Sequence, residues 1–442
     1  MRVIFFPSYQ GGGFGHIGRC LAVAQASRTR GAEVLFALDG PHRERLAADW
    51  PVIPLTQPPY RPATSSPTFT VVSGFAYQLL RDGLTSAAAV RAAVREGLDV
   101  IARTRPDVLV GDAAPLVGLL GHLTGVPVVQ IVRAGLHPAG PGLIWWSAPP
   151  AALIPPDPRP LFNPLLARWR FPPLQRAEDL LTGTWTLIPS LPELDPLPPH
   201  LPRTTWVGPL VRDAVAELPP ELAAWLADGA GVYVTLGGGA VGGLEGYRAL
   251  LAAANALPFR TLIATGTRLA PDDLPAPGPQ VRLEAWVPGP QVIARSRLVV
   301  FAGGYGTSME AAAAGTPGLV IPFHSEQESN ARRLAALGLA RLLLPYRGAP
   351  VIERRRWGGE FTTLTYPAWG LSAAALGEAI TSAWEDAALH TAAADFATNL
   401  AAAPCGGAAQ AAAVVAQVAA EPSGRALDQL DWWQRLRLRL PM

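Results

Sequence analysis

Short apolar runs alternate with longer stretches of helical spacing along most of this chain. In the first half, residues 3–6, 33–37, 108–110 and 126–131 have the length and apolar content of buried strands, and residues 19–30 and 84–103 carry a helical pattern. Such alternation predicts a parallel sheet with helices on both faces. From Gly231 the rhythm restarts, with strands predicted at 232–236, 261–264, 281–284, 299–301 and 318–321. The pattern predicts an α/β chain of two tandem doubly wound, Rossmann-like domains with parallel sheets and a cleft between them, where ligands of such folds bind at the carboxyl ends of the strands.

Residues 189–209 are too proline-rich for regular structure and suit a linker. The expected division is an N-terminal domain at 1–195, a linker at 196–215, a C-terminal domain at 216–424 and a terminal helix at 425–442 docking on the body of the protein. Segments 58–75, 136–171 (with Trp145, Trp146 and Trp169) and 346–369 are long for connections, which favours a binding or lid role. In the tail, Trp432, Trp433, Leu436, Leu438 and Leu440 mix with Arg435, Arg437 and Arg439, so peripheral contact with an anionic membrane is the alternative to docking.

With 442 residues, 49% of them hydrophobic, the chain can bury two ordinary cores. Its net charge of +2 and lack of long basic runs argue against a nucleic-acid partner. All 36 basic side chains are arginine, which excludes mechanisms that need a lysine: a P-loop ATPase, a pyridoxal Schiff base, a protein kinase of the usual layout. Cys20 and Cys405 stand far apart and form neither a disulfide framework nor a thiolate metal site, so the expected compartment is the cytoplasm. No stretch reads as the roughly 18 apolar residues of a membrane span.

The densest chemistry lies at 302–331. A short strand is followed by Gly303, Gly304 and Gly306, Thr307 opens a helical pattern, and the N–H groups of such a helix start attract phosphate. Beyond the next strand, Glu326 and Gln327 fall on a loop where they could meet a sugar, the layout of a nucleotide-sugar site. In the other half, a glycine-rich turn puts His16 at the carboxyl end of the first strand, facing the cleft. An imidazole there suits a general base for a hydroxyl nucleophile, with Asp112 at a matching strand end to fix its tautomer. No Asp-x-Asp motif occurs, so no metal and no other cofactor is expected. Plainer readings stand beside these: His16 as a helix-start residue, Glu310 as part of a capping box from Thr307, Glu326 and Gln327 as a solvated loop, and Trp286 as core packing.

The chain resembles the nucleotide-sugar glycosyltransferases of the GT-B fold, in particular family GT1, the UDP-glycosyltransferases, with a weaker likeness to MurG-type enzymes. The likeness runs through Gly15-His16, the segment ending at Asp112, the linker with Trp206 to Leu210, the strand and glycines at 232–239, Trp286 to Gly289 and the segment from Ala302. It implies that Trp286 stacks on the donor base, that the Val287 backbone addresses the base edge, and that Glu310 binds the ribose hydroxyls. It also implies that Gly237, Gly238, Gly239, Gly303, Gly304, Gly306 and Thr307 hold the diphosphate, that Glu326 and Gln327 bind the sugar, and that His16 and Asp112 are base and orienting acid. Two positions depart from the family pattern: Ala302 replaces a phosphate-binding histidine, and Gly289 replaces a glutamine. Backbone amides and an arginine such as Arg268 would then meet the donor's charge.

The expected activity is inverting transfer of a hexose from a UDP-sugar, UDP-glucose or similar, to a hydroxyl of an apolar alcohol, phenol or lipid. Deoxysugars on dTDP are an alternative donor class. Two rival functions remain. Gly13-Phe14-Gly15-His16-Ile17-Gly18 with Asp39 spells a dinucleotide fingerprint, which would suit an NAD-dependent oxidoreductase. The same fold could also serve a nucleotide-sugar hydrolase or epimerase, or a non-catalytic relative.

Overall fold

The computed structural model describes residues 1–8, 14–38, 40, 42–56, 68–142, 150–211, 218–227, 231–237, 243–266, 269–403 and 405–421, with Arg45 described only in its backbone. Its first lobe is a seven-stranded sheet built from β1 (Arg2–Pro7), β2 (Glu33–Leu38), β3 (Val52–Pro54), β5 (Val108–Asp112), β6 (Val128–Ile131), β7 (Trp185–Ile188) and β8 (Thr204–Trp206). Among the described residues of this lobe, only the strand β4 (Phe69–Val71) lies outside this sheet. The strands lie parallel in the order β3-β2-β1-β5-β6-β7-β8. Along β1 the side chains alternate between two cores: Val3 and Phe5 pack on one face with Ile17 and Cys20, Ile4 and Phe6 on the other with Leu98 and Leu109. Burial on both faces explains why these strands read as continuous apolar runs.

The second lobe repeats the plan with β9 (Val232–Thr235), β10 (Thr261–Ala264), β11 (Val281–Glu284), β12 (Leu298–Phe301), β13 (Gly318–Val320) and β14 (Ala340–Leu342), all parallel in the order β11-β10-β9-β12-β13-β14. In each lobe the chain builds outward from the first strand, then returns to its other side. The two reversal points fall between β1 and β5 and between β9 and β12, where loops diverge and leave a crevice at the strand ends. The candidate residues described below follow the carboxyl ends of strands in the two sheets.

Three segments depart from the sequence pattern. Within the proline-rich stretch expected to lack regular structure, Thr204–Trp206 forms the edge strand of the first sheet, paired to β7. Segment 346–369 is not a loop but mostly a hairpin, β15 (Val351–Trp357) and β16 (Gly359–Tyr366), turning at Gly358 with φ 71°. This hairpin belongs to the second lobe in sequence, yet β16 pairs antiparallel with β4 of the first, and Trp357 and Phe361 enter the first lobe's core. The third departure is the stretch Ala387–Ala420, which has the length and hydropathy of a membrane span. It folds as two helices, Ala387–Ala402 and Gly407–Ala420, and the second buries Ala411, Val415 and Val418 in the core that holds Ile17 and Cys20 of the first lobe. The tail at 422–442, Trp145, Trp146 and most of segment 58–75 lie outside the described residues.

Candidate active site

His16 is the second residue of the helix Gly15–Thr29, which starts above the carboxyl end of β1, and Asp112 is the last residue of β5. Because β1 and β5 are neighbours in register, with Pro7 opposite Asp112, the two side chains are brought together. Imidazole Nδ1 lies 2.8 Å from Asp112 Oδ1. Asp112 is fully buried, whereas the His16 side chain keeps 27% of its surface accessible, so the ring can meet a substrate while its partner cannot.

Sequence reasoning missed a third member of this group. Arg19 donates from Nε to Asp112 Oδ2 at 2.8 Å and from Nη2 to Oδ1 at 2.7 Å, a two-pronged grip. Burial works against both charges, yet their mutual attraction and hydrogen bonding prevail: Arg19 is raised above its ordinary value, and Asp112 is held below the usual carboxylate range by Arg19 and His16. Helical spacing held the signal, since residues three apart share a face, as His16 and Arg19 do.

Across the cleft, the helix Tyr305–Ala314 opens directly after Gly303 and Gly304. It begins two residues earlier than expected, so Thr307 lies inside the first turn rather than at the start. Its N-cap, Gly304, makes no side-chain cap bond, and the capping-box reading of Glu310 fails. Instead, a Cβ built on Gly289 would stand 3.8 Å from Glu310 Oε2, so this carboxylate faces the loop that carries Trp286. Trp286 is 46% exposed, which excludes core packing as its role, while Val287 beside it is buried.

Gly303 must be glycine: its φ is +84°, and a Cβ would meet Gln327 O and Val320 Cγ1, each at 2.8 Å. At Gly237, Gly304 and Gly306 a Cβ would meet nothing within 4 Å, so these positions border open space large enough for close approach of a ligand to the backbone. Gly238, Gly239 and Arg268 fall outside the described residues, as do Gly13 and Asp39 of the dinucleotide fingerprint.

Glu326 and Gln327 occupy the first turn of the helix Ser325–Ala336, not a solvated loop, because His324 is extended and the helix follows at once. Both are already engaged. Glu326 Oε1 accepts from Arg133 Nη1 of the first lobe at 2.8 Å, and Gln327 Oε1 accepts from the Phe323 N–H at 2.8 Å. Burial alone would raise Glu326, but the charges of Arg133, His324, His16 and Arg81 hold its carboxyl below the ordinary value. That His16 acts on both Asp112 and Glu326 sets the candidate base within electrostatic reach of the candidate sugar pair.

The lobes meet around Tyr305. Its ring lies under the guanidinium groups of Arg19, 5.6 Å from the ring centroid, and Arg133, at 5.0 Å, and its hydroxyl donates to Asp195. Arg133 also donates from Nη2 to Asn330 Oδ1 at 2.5 Å, and Asn330 in turn donates to Gly303 O at 2.8 Å. The glycine loop is thus tied to the first lobe through side chains that the sequence motifs do not include. Strand β4 adds a backbone tie, with Thr70 N–H donating to Phe323 O at 2.9 Å just ahead of Glu326.

Comparison with known proteins agrees with this architecture. Residues 276–350, which include Trp286, the glycine loop and the Glu326–Gln327 pair, match the glycosyltransferase family 28 C-terminal domain. A PGL/p-HBAD biosynthesis glycosyltransferase of Mycobacterium tuberculosis (strain ATCC 25177 / H37Ra) is 26% identical over 351 residues, 74% of this chain and 78% of that protein. A PGL/p-HBAD biosynthesis rhamnosyltransferase of Mycobacterium bovis (strain BCG / Pasteur 1173P2) is 26% identical over 348 residues, 74% of each chain. The crystal structure of the calicheamicin glycosyltransferase CalG4 superimposes with a TM-score of 0.67 at 19% identity, covering 95% of this chain and 99% of that one, and so shares the fold. Two parallel Rossmann-like sheets, with a segment that matches the glycosyltransferase family 28 C-terminal domain, give this protein the GT-B fold of the glycosyltransferases it resembles.

Proposed function

We propose that the protein is an inverting, GT1-like transferase that moves a hexose from a UDP-sugar to a hydroxyl of an apolar small molecule or lipid, with His16 as general base. The observation that carries this reading is the 2.8 Å contact between His16 Nδ1 and the buried Asp112, at the edge of a cleft whose other wall presents Trp286, Glu310 and the bare glycines. With Nδ1–H directed at Asp112, Nε2 is free to take the acceptor's proton as its oxygen attacks the anomeric carbon and the nucleoside diphosphate departs. A single displacement of this kind inverts the sugar centre. Asp112 stabilises the imidazolium that forms.

The leaving group's charge is met by the N-terminus of the helix Tyr305–Ala314 and its glycine loop, so turnover proceeds without a metal. Trp286 stacks on the base, the Val287 backbone addresses its edge, and Glu310 binds the ribose diol. Gly237, Gly303, Gly304, Gly306 and Thr307 hold the diphosphate, and Glu326 and Gln327 address the sugar. A cytoplasmic location is part of the same proposal, supported by two free thiols, Cys20 and Cys405.

A second reading, transfer of a deoxyhexose, is favoured by one observation. Arg133 and the Phe323 N–H already occupy one oxygen each of Glu326 and Gln327, leaving fewer groups for sugar hydroxyls. The rhamnosyltransferase among the relatives points the same way. Thermal shift with UDP-, dTDP- and GDP-sugars separates the two readings, because a bound donor raises stability by mass action. Product analysis then distinguishes transfer from hydrolysis: nucleotide released only in the presence of a phenol or alcohol supports the proposal, and release without one supports a hydrolase. Saturable binding of NADH would support the oxidoreductase instead.

A further inference from the structure

We propose that Arg19 is a positioning residue of the His16–Asp112 pair, holding the carboxylate in the one orientation that leaves His16 Nε2 unprotonated. The inference rests on the reading of His16 as base and concerns a residue to which that reading gives no part.

Three atoms form a compact triangle: His16 Nδ1 to Asp112 Oδ1 is 2.8 Å, Arg19 Nη2 to the same Oδ1 is 2.7 Å, and Nη2 to Nδ1 is 2.9 Å. Two N–H groups converge on one oxygen, while Arg19 Nε holds the other oxygen at 2.8 Å. A carboxylate held by the imidazole alone could turn about its last side-chain bond and exchange its oxygens. Gripped at both, it cannot. For a neutral ring the triangle admits two proton arrangements. With the proton on Nδ1, both donors share Oδ1 and Nε2 keeps its lone pair; with a bare Nδ1, the second Nη2 hydrogen would fill it, the ring proton would sit on Nε2, and the base would be blocked. The negative charge on Asp112, confined between two donors, selects the first arrangement.

The guanidinium reaches further than Asp112. It lies over the ring of Tyr305, the first residue of the helix behind the glycine loop, whose hydroxyl is fixed by Asp195. One side chain therefore touches the acid that orients the base and the residue that opens the donor helix. Arg133 covers the same ring but makes its hydrogen bonds to Glu326 and Asn330, so the two arginines divide the cleft between base and sugar.

The test uses the full-length wild-type protein with Arg19→Gln, Arg19→Lys, Asp112→Asn and the Arg19→Gln/Asp112→Asn double variant. Steady-state kinetics are run with a nucleotide sugar and a phenol that support turnover, and the imidazole 15N shifts of His16 are recorded without substrate. Arg19→Gln is expected to lower kcat by roughly ten- to a hundredfold with donor KM changed by less than about threefold, the signature of an interaction expressed in the transition state. Arg19→Lys, which keeps the charge but not the two-pronged grip, should recover part of the loss. In the Asp112→Asn background, removal of Arg19 should change kcat by less than about threefold, because its effect passes through the carboxylate.

The spectra should show neutral wild-type His16 protonated on Nδ1 and a mixture of tautomers in Arg19→Gln. If Arg19→Gln proves too unstable to study, the double variant, in which no charge is left unpaired, is compared with Asp112→Asn alone and with the wild-type spectrum. Full kcat in Arg19→Gln, losses that multiply in the double variant, or a wild-type His16 carrying its proton on Nε2 would each overturn the proposal. Full turnover in His16→Ala would remove only the assignment of the base, since the spectra report on Arg19 in either case.

Discussion

Arg133 of the first lobe and Glu326 of the second, the carboxylate proposed to address the donor sugar, meet at 2.8 Å. Arg133 is 93% buried by its surroundings, with 7% of its side chain accessible, and it also supports Asn330, which holds the carbonyl of Gly303. Replacing Arg133 with Gln therefore leaves a half-buried carboxylate without its cation and loosens the glycine loop. The expected outcome is a loss of about 3 kcal/mol in urea unfolding and a weaker donor site. A variant with wild-type stability and donor affinity would show the pair to be incidental.

Trp286, almost half exposed at the end of β11, is assigned to the donor base. Stacking of a base on an aromatic ring contributes about 1–3 kcal/mol, so Trp286→Ala should weaken nucleoside diphosphate binding by roughly ten- to a hundredfold. Calorimetric titration with UDP and dTDP measures this directly. Unchanged affinity would move the base elsewhere.

Asp82 gives the stability of the protein a distinctive pH dependence. It follows the helix Ala76–Arg81, its side chain is nine-tenths buried, and its Oδ1 lacks a hydrogen-bond partner although Arg81 Nε stands 3.6 Å away. Burial pushes its carboxyl up to about 6 against the pull of Arg81, His16 and Gln78. A carboxyl raised in the folded state binds its proton more tightly there than in the unfolded chain, so its contribution is full below about pH 4 and is lost as pH rises to about 6. Asp82→Asn should accordingly stabilise the protein by about 2 kcal/mol near pH 7.5 and change little near pH 4. The opposite ordering in urea titrations at the two pH values would contradict the assignment. Asp112, held below its ordinary value, works in the reverse direction and weakens the fold only on acidification.

Much of this architecture was written in the hydrophobic pattern. Strand β10 coincides with its predicted range, and β1, β2, β5, β9, β12 and β13 end within two residues of theirs, because strands buried on both faces leave continuous apolar runs. The His16–Asp112 pairing followed from two polar residues at the ends of strands that the fold makes neighbours. What escaped was mostly what depends on contacts between the lobes. Arg133, Tyr305 and Asp195 carry no local pattern, whereas Arg19 stood one helical turn from His16 and was overlooked, and β15 and β16 read as loop because six of the seven β15 positions are exposed and charged or apolar without alternation. The helix start at Tyr305 was placed two residues late and the helix from Ser325 was read as loop for a related reason: glycine and an extended histidine, rather than capping side chains, begin those helices.

Metal independence is checked by assaying turnover after exhaustive treatment with EDTA. In the proposed reaction the helix N-terminus and glycine loop supply the field at the leaving group, so the rate should be unaffected. Loss of activity that added magnesium or manganese restores would contradict that part of the account.

The most direct measurement is the comparison of His16→Ala with the wild type in turnover and in donor affinity. A proton acceptor contributes roughly a hundred- to ten-thousandfold to such a reaction, so kcat should fall by that order while calorimetric affinity for the nucleotide sugar stays within about twofold. Turnover that survives the substitution undiminished would contradict the account at its centre.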